Sequence, residues 1–293
     1  MNDQAQRLRE MVFASQKNVS APHMKIITIT SGKGGVGKSN FTVNLSLGIK
    51  EQKKKPIILD ADFGLANIEI IFGQRPSYNL SSLIKNQCNL KELITSTKYG
   101  VPFISGGSGI KDMLFLSKMQ IESIGDHLQE LEDLADILLI DTGAGINDVV
   151  LKFSQIADEV YVIVTPDPAS ITDAYALIKT LVKDFNNHTN FKIVINKASS
   201  KQEAHQVYKK LSYAAKFFLN SDLEYAGFVP YDDKLNEASK KQVPVVFLDP
   251  SARSSQAYLE ISKQILKINS NDTLDTVKKE SFINRFKRIF TSN

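Results

Sequence analysis

Cysteine is almost absent from this 293-residue chain, with Cys88 the only one. That excludes a disulfide framework and leaves no Cys-x-x-Cys pair for zinc or an iron–sulfur cluster. A reducing, cytoplasmic setting is the expectation. Long apolar runs are missing as well. The N-terminus, MNDQAQRLRE, is charged and lacks the apolar core of a secretory signal, and no run approaches the ~18 residues of a spanning helix. A chain that is neither exported nor transmembrane is expected. Internal repeats and low-complexity tracts are also absent, and charge is nearly balanced. There are 36 Lys and Arg against 32 Asp and Glu, and the excess lies in one short stretch, where Lys278, Lys279, Arg285, Lys287 and Arg288 face the single acid Glu280. A broad basic face for wrapping nucleic acid is therefore not expected.

What is present suits one large soluble domain with short tails: 42% hydrophobic and 23% charged residues. Apolar, β-rich runs alternate with segments of helical period. The strand candidates are Lys25–Thr30, Pro56–Asp60, Asp136–Asp141, Glu159–Thr165, Phe191–Asn196 and Leu223–Val229. Helices are expected near Ser39–Gln52, Ser117–Ala135, Asn147–Ile156, Ser170–Phe185, Gln202–Phe218 and Ser251–Ile268. Continuously apolar strands followed by helices predict an α/β fold, a doubly wound and mostly parallel sheet covered on both faces. Residues 24–268 would form that domain. Residues 1–23 are an N-terminal extension, and residues 269–293 a polar link followed by a basic tail.

The strongest motif runs from Ser31 to Ser39, SGKGGVGKS, and fits G-x-x-x-x-G-K-[ST] between a strand and a helix. Glycines there let backbone N–H groups turn onto phosphate oxygens, while the next helix offers its positive N-terminal end. Lys38 would neutralise the β- and γ-phosphates and Ser39 would ligate Mg²⁺. Acids stand at the carboxyl ends of two apolar strands beside this loop: Asp60 and Asp62 on one, Asp141 on the other. That is the ligand crevice of a parallel sheet, where carboxylates hold the waters of Mg²⁺.

Lys33, a second lysine near the start of the loop, resembles the signature lysine of the deviant Walker A ATPases, which include the MinD, ParA and nitrogenase iron proteins. The resemblance implies a P-loop ATPase that forms an ATP-dependent homodimer, with Lys33 crossing the interface to the partner's nucleotide. It implies that ATP or ADP contacts Gly32, Lys33, Gly34, Gly35, Val36, Gly37, Lys38, Ser39 and Asn40. It further implies that Asp62 orients the attacking water, that Asp141 is the Walker B acid, that Gly143 senses the γ-phosphate, and that intrinsic turnover is weak. Ser39, Asp60, Asp62 and Asp141 become the metal candidates. Asn196-Lys197 is similar to the family's Asn-Arg pair, whose Asn reads the adenine edge, with Lys in place of Arg. Pro230 and Tyr231 match its second adenine-side loop.

Both ends carry further signals. In the tail, Phe282, Ile283, Phe286, Ile289 and Phe290 fall on one helical face with cations opposite, as in an interfacial helix on an anionic membrane. A terminal helix docked on the body has the same periodicity. At the other end, Asp3-Gln4-Ala5-Gln6-Arg7-Leu8-Arg9 resembles the D-Q-A-x-x-L-R segment of the FlhG (YlxH/FleN) type, the MinD-like regulators of flagellar number. In that type the segment stimulates a signal-recognition-type GTPase, FlhF, which would make Gln4, Leu8 and Arg9 partner residues. The resemblance also implies flagellar C-ring partners and reversible attachment to the inner face of the cell membrane. Two rivals are a cell-division MinD, whose chain normally starts near the first strand, and a DNA-partitioning ParA, which would need a basic body. A metal-cluster carrier would need more thiolates than Cys88 supplies.

Overall fold

The computed structural model describes residues 24–62, 67–107, 117–184, 190–268 and 280–291. In chain order these give β1 (Lys25–Ser31), α1 (Lys38–Glu51), β2 (Pro56–Ala61), α2 (Asn67–Phe72), α3 (Leu80–Ile84), α4 (Leu90–Leu93) and β3 (Phe103–Ser105). Then follow α5 (Lys118–Gln129), α6 (Leu131–Leu134), β4 (Ile137–Ala144), α7 (Asp148–Ile156), β5 (Glu159–Val164), α8 (Pro168–Asp184) and β6 (Asn190–Ala198). The chain ends with α9 (Lys201–Leu219), β7 (Leu223–Pro230), α10 (Asp233–Lys241), α11 (Val245–Leu248), α12 (Arg253–Ile268) and α13 (Phe282–Thr291).

The strands make one seven-stranded sheet in the order β3-β2-β4-β1-β5-β6-β7, parallel at every pairing. β2 is buried at every position, and so is β5, because helices cover both faces. One face packs α1, α10, α11 and α12 over Phe41, Tyr161 and Tyr258. The other packs α3 to α7 and α13 on one half and α8 and α9 on the other. Each expected strand is present. β3 was not foreseen, since three residues carry no periodicity. The expected helix over Ser117–Ala135 is divided into α5 and α6 at Glu130.

Six helices start on a side chain that accepts a backbone N–H, those of Asn79, Asn89, Ser117, Asn147, Ser200 and Asp232. α1 starts differently. Its N-cap is Gly37 in the left-handed region (φ 96°), with no side-chain cap and no acid in the first turn. Its first N–H groups are left for an anion.

The tail departs from the membrane-facing expectation. Phe282, Ile283, Phe286 and Phe290 are only 1%, 4%, 1% and 3% exposed, packed with Phe153 and the residues of α5, and Ile289 is partly buried beside them. Burying such side chains contributes on the order of 1.5–3 kcal/mol each before ordering entropy is subtracted. The cations are not simply solvated either. Arg285 pairs with Asp158 at 3.1 Å, Lys287 with Asp126 at 2.6 Å and Arg288 with Glu280 at 2.7 Å. Gly125 on α5 makes room for this, because a Cβ there would lie 2.5 Å from the Lys287 side chain. The docked-helix reading of the same periodicity describes this conformation.

Candidate functional site

The loop after β1 sits at the centre of the sheet, at the carboxyl ends of its neighbours β4 and β5. Its backbone is fixed by close approach. A Cβ on Gly32 would come within 2.2 Å of the Asp173 backbone in α8, so only glycine fits. Inside the loop, Lys38 is buried, and its Nζ donates to the Ser31 hydroxyl at 2.9 Å, while Ser31 Oγ donates to the Lys33 carbonyl at 2.7 Å. Burial lowers the Lys38 pKa, partly offset by the charges of Asp141 and Asp62.

The carboxylates converge beside it. Asp60 and Asp141 are register partners on adjacent strands, so their Cα atoms are about 5 Å apart. Asp141 is completely buried, accepts from Thr42 Oγ1 at 2.9 Å and from Ser39, and has one oxygen, Oδ2, with no hydrogen-bond partner. Burial pushes its pKa up to about 6. Asp60 is also raised, first by burial and then by the Asp141 charge, although the backbone N–H groups of Asp62 and Ile68 donate to it at 3.2 and 3.3 Å. Asp62 lies against the end of β4: a Cβ on Gly143 would stand 3.4 Å from its Oδ1. Phe63 to Ala66 lie outside the described residues.

This arrangement fits Mg²⁺. Mg²⁺ keeps most of its waters and takes a hydroxyl and substrate phosphates directly, so it asks of the protein one hydroxyl and carboxylates that accept from its waters. The orphaned Asp141 oxygen and the Ser39 hydroxyl that hydrogen-bonds to Asp141 are the groups such a hydrated ion would meet.

Lys33 behaves unlike Lys38. It stands at the rim with a side chain 43% exposed, and its Nζ donates to Asp167 Oδ2 at 2.5 Å. Asp167 is itself oriented by accepting from the Ala169 N–H at 3.3 Å. That pairing raises the Lys33 pKa and lowers that of Asp167. Lys33, Gly34, Gly35 and Val36 line a cavity of about 690 Å³ together with Thr165, Asp167, Lys197, Glu203, Tyr231 and Arg253.

Several expected residues stand elsewhere in the geometry. The Asn196 side chain does not face open solvent as a base reader would: Asn196 is 1% exposed, its Nδ2 donates to the Val36 carbonyl at 2.6 Å, and its Oδ1 accepts from Lys197 N at 3.0 Å. It clamps the loop. Lys197, in the left-handed region (φ 59°), does the same through Nζ to the Gly35 carbonyl at 2.8 Å. Asn40 turns toward Ser239 rather than into the loop. Pro230 ends β7, and Tyr231 beyond it is 53% exposed at the cavity edge. Arg253 Nη2 donates to the Tyr231 carbonyl at 3.2 Å, placing a guanidinium on the same cavity that Lys197 lines. Thr42, Asp167 and Arg253 were not foreseen, since each gains its place through a contact 22 to 134 residues away. Gln4, Leu8 and Arg9 lie outside the described residues.

Residues 23–266 match the ParA family model described as NUBPL iron-transfer P-loop NTPase. The antiactivator FleN of Pseudomonas aeruginosa is 36% identical over 85% of this chain and 89% of its own length. The flagellum site-determining protein YlxH of Helicobacter pylori is 31% identical over 99% of this chain and 98% of its own. Among solved structures, septum site-determining MinD complexed with Mg-ADP from Pyrococcus horikoshii superposes with a TM-score of 0.66 at 21% identity, covering 84% of this chain and 97% of that one.

Proposed function

This chain belongs to the MinD/ParA family of P-loop ATPases, and from that membership we propose that it is a nucleotide-switched regulator of flagellar number or placement, dimerising around ATP and resetting on hydrolysis. The observation that carries the switch is the division of labour between two lysines. Lys38 is buried against its own loop, whereas Lys33 waits at the rim in an exposed ion pair with Asp167. A surface pair of that kind is worth little, so a phosphate on a facing copy can take Lys33 from Asp167. Bound Mg²⁺ supplies neutralisation of the charge that spreads over the γ-phosphoryl oxygens. Lys38 holds the β- and γ-phosphates, Lys33 adds the partner's positive charge, and Asp62 aims the water. Asp141 and Ser39 anchor the ion's shell. The base lies between Tyr231 and Arg253, whose guanidinium takes the stacking role that Lys197 lacks.

The flagellar assignment rests on FleN and YlxH, whose matches run over most of both chains. Partners follow from the same resemblance: FlhF through residues 3–9, and C-ring proteins. Tyr213, Phe217 and Phe218 on α9, in ring contact with one another and 65–68% exposed, offer a protein partner an apolar surface. Membrane binding would use α13 once it leaves its groove, and two such helices in a dimer hold better than one. No helix among the described residues is long and apolar enough to cross a membrane. Iron transfer, named in the family description, has no thiolate pair here to serve it.

The test combines ATP turnover with a pull-down from flagellated cells. Turnover that requires Lys38, with flagellar GTPase and C-ring proteins co-eluting, supports the reading. Recovery of DNA-partition or Min proteins instead overturns the flagellar part.

A further inference from the structure

Beneath the sheet, at the end opposite the phosphate loop, a cavity of about 410 Å³ opens between the end of α1, the start of β2 and the turn after α6. Ile57, Ile94, Pro102 and Ala135 wall it, and Leu134 stands at its mouth 46% exposed. Lys50, Lys54 and Lys55 also line it. Lys50 is occupied, donating to the Tyr99 carbonyl at 2.6 Å. Lys54 is 4.0 Å from Asp136, beyond hydrogen-bond length, and the Lys55 side chain has no ion pair among the described residues. An apolar slot rimmed by two ammonium groups, Lys54 in a long, part-exposed ion pair and Lys55 in none among the described residues, suits a short segment in which an acid precedes bulky apolar residues. The nucleotide and the tail helix make no use of it.

The chain itself supplies such a segment at this spot. Lys25 is the register partner of Ile137, and Ile137 of Pro56, a cavity-lining residue. The start of β1 therefore stands two strand spacings, about 10 Å, from the cavity. Residues 1–23 join the fold here, and they contain Glu10-Met11-Val12-Phe13. The stretch from Ala14 to His23 can span up to about 33 Å when extended, so reach is ample.

We propose that residues 10–13 dock in this cavity, Val12 and Phe13 against Ile57, Ile94 and Leu134, with Glu10 between Lys54 and Lys55. Docking holds Gln4, Leu8 and Arg9 against the underside of the sheet and withholds them from a partner. That consequence rests on the partner role proposed above, whereas the docking does not.

The test uses the full chain in a Cys88→Ser background, which removes the single native thiol, with Val12→Cys and Leu134→Cys added. Under mild oxidation with oxidised glutathione, the monomer should form an intramolecular disulfide, resolved on a non-reducing gel. Adding Phe13→Asp, or Lys54→Glu with Lys55→Glu, should slow its formation about tenfold, since an undocked tether meets the cavity only at its effective concentration. Lys54 and Lys55 are exposed, so the fold survives their exchange. No disulfide, or a rate indifferent to these substitutions, overturns the docking. The locked chain should also fail to stimulate the GTPase until reduced. If the disulfide behaves as expected but locking leaves stimulation unchanged, the docking stands and the partner consequence falls.

Discussion

Arg285 donates to Asp158 Oδ1 at 3.1 Å, and the other oxygen of the same carboxylate accepts the backbone N–H of Ile26 at 2.8 Å. One aspartate thus ties the tail helix to the first strand, whose far end carries the phosphate loop. Both partners are only 12–13% exposed, so the pair is poorly screened.

Removing the arginine should loosen the tail. Arg285→Ala removes the Arg285–Asp158 ion pair, at about 1–3 kcal/mol, and the apolar face should be released more often. We expect sedimentation with anionic vesicles in the absence of ATP to rise severalfold in the full chain, with nucleotide binding retained. Deleting residues 275–293 should abolish sedimentation altogether.

Lys33→Ala should lose ATP-dependent dimerisation, read by light scattering with ATP and Mg²⁺, while still binding nucleotide through Lys38. Asp62→Ala should do the reverse, keeping dimers and losing turnover. Asp167→Ala separates parking from function: it frees Lys33, so dimers should persist.

Asp141 gives a pH-dependent prediction. In the metal-free chain its pKa rises from 3.8 to about 6 on folding. The folded state then binds the proton more tightly than the unfolded one, so this group's contribution is most favourable at low pH. It is lost as pH climbs from about 4 to about 6. Asp141→Asn should therefore raise the melting temperature of nucleotide-free protein at pH 7.5 by several degrees, on the order of 2 kcal/mol. The gain should shrink at pH 5, and hydrolysis should be lost at both.

Arg253→Ala should weaken ATP binding by roughly tenfold, about 1.4 kcal/mol, measured by titration with a fluorescent analogue. Asn196→Ala should instead disturb the loop itself. Its loss should weaken ATP and inorganic pyrophosphate alike, whereas Arg253→Ala should spare pyrophosphate.

The N-terminal motif makes its own claim. A peptide of residues 1–23 should raise the GTP turnover of an FlhF-like partner, and residues 24–293 should not. Gln4→Ala should lower turnover with little loss of binding, as a water-orienting amide would, and Leu8→Ala should weaken binding.

The sheet and the phosphate site were legible because local pattern encodes them. An apolar run such as Ile137–Ile140 reads as a buried strand, and a strand-end acid such as Asp141 follows it directly. β3 was illegible because its three residues form a strand only by pairing with β2. Asp167 and Arg253 were missed because residues at the starts of helices, here just before α8 and at the first position of α12, acquire this meaning only when the chain folds back on itself. The tail shows a deeper limit, since an apolar stripe with opposing cations states how a helix is divided but not which surface it covers. Asn196 shows another: its position at a strand end was evident, yet its partner, the Val36 carbonyl, was not.

Strand β1 runs from Asp158's anchor at Ile26 to the phosphate loop after Ser31, about 20 Å of rigid backbone held between β4 and β5. The tail and the nucleotide therefore sit on opposite ends of one strut. Binding at the two ends obeys thermodynamic reciprocity: any factor by which ATP favours release of the tail is the factor by which capture of the tail tightens ATP. A lipid surface that holds α13 would act on this chain as an effector of its nucleotide site, without touching it.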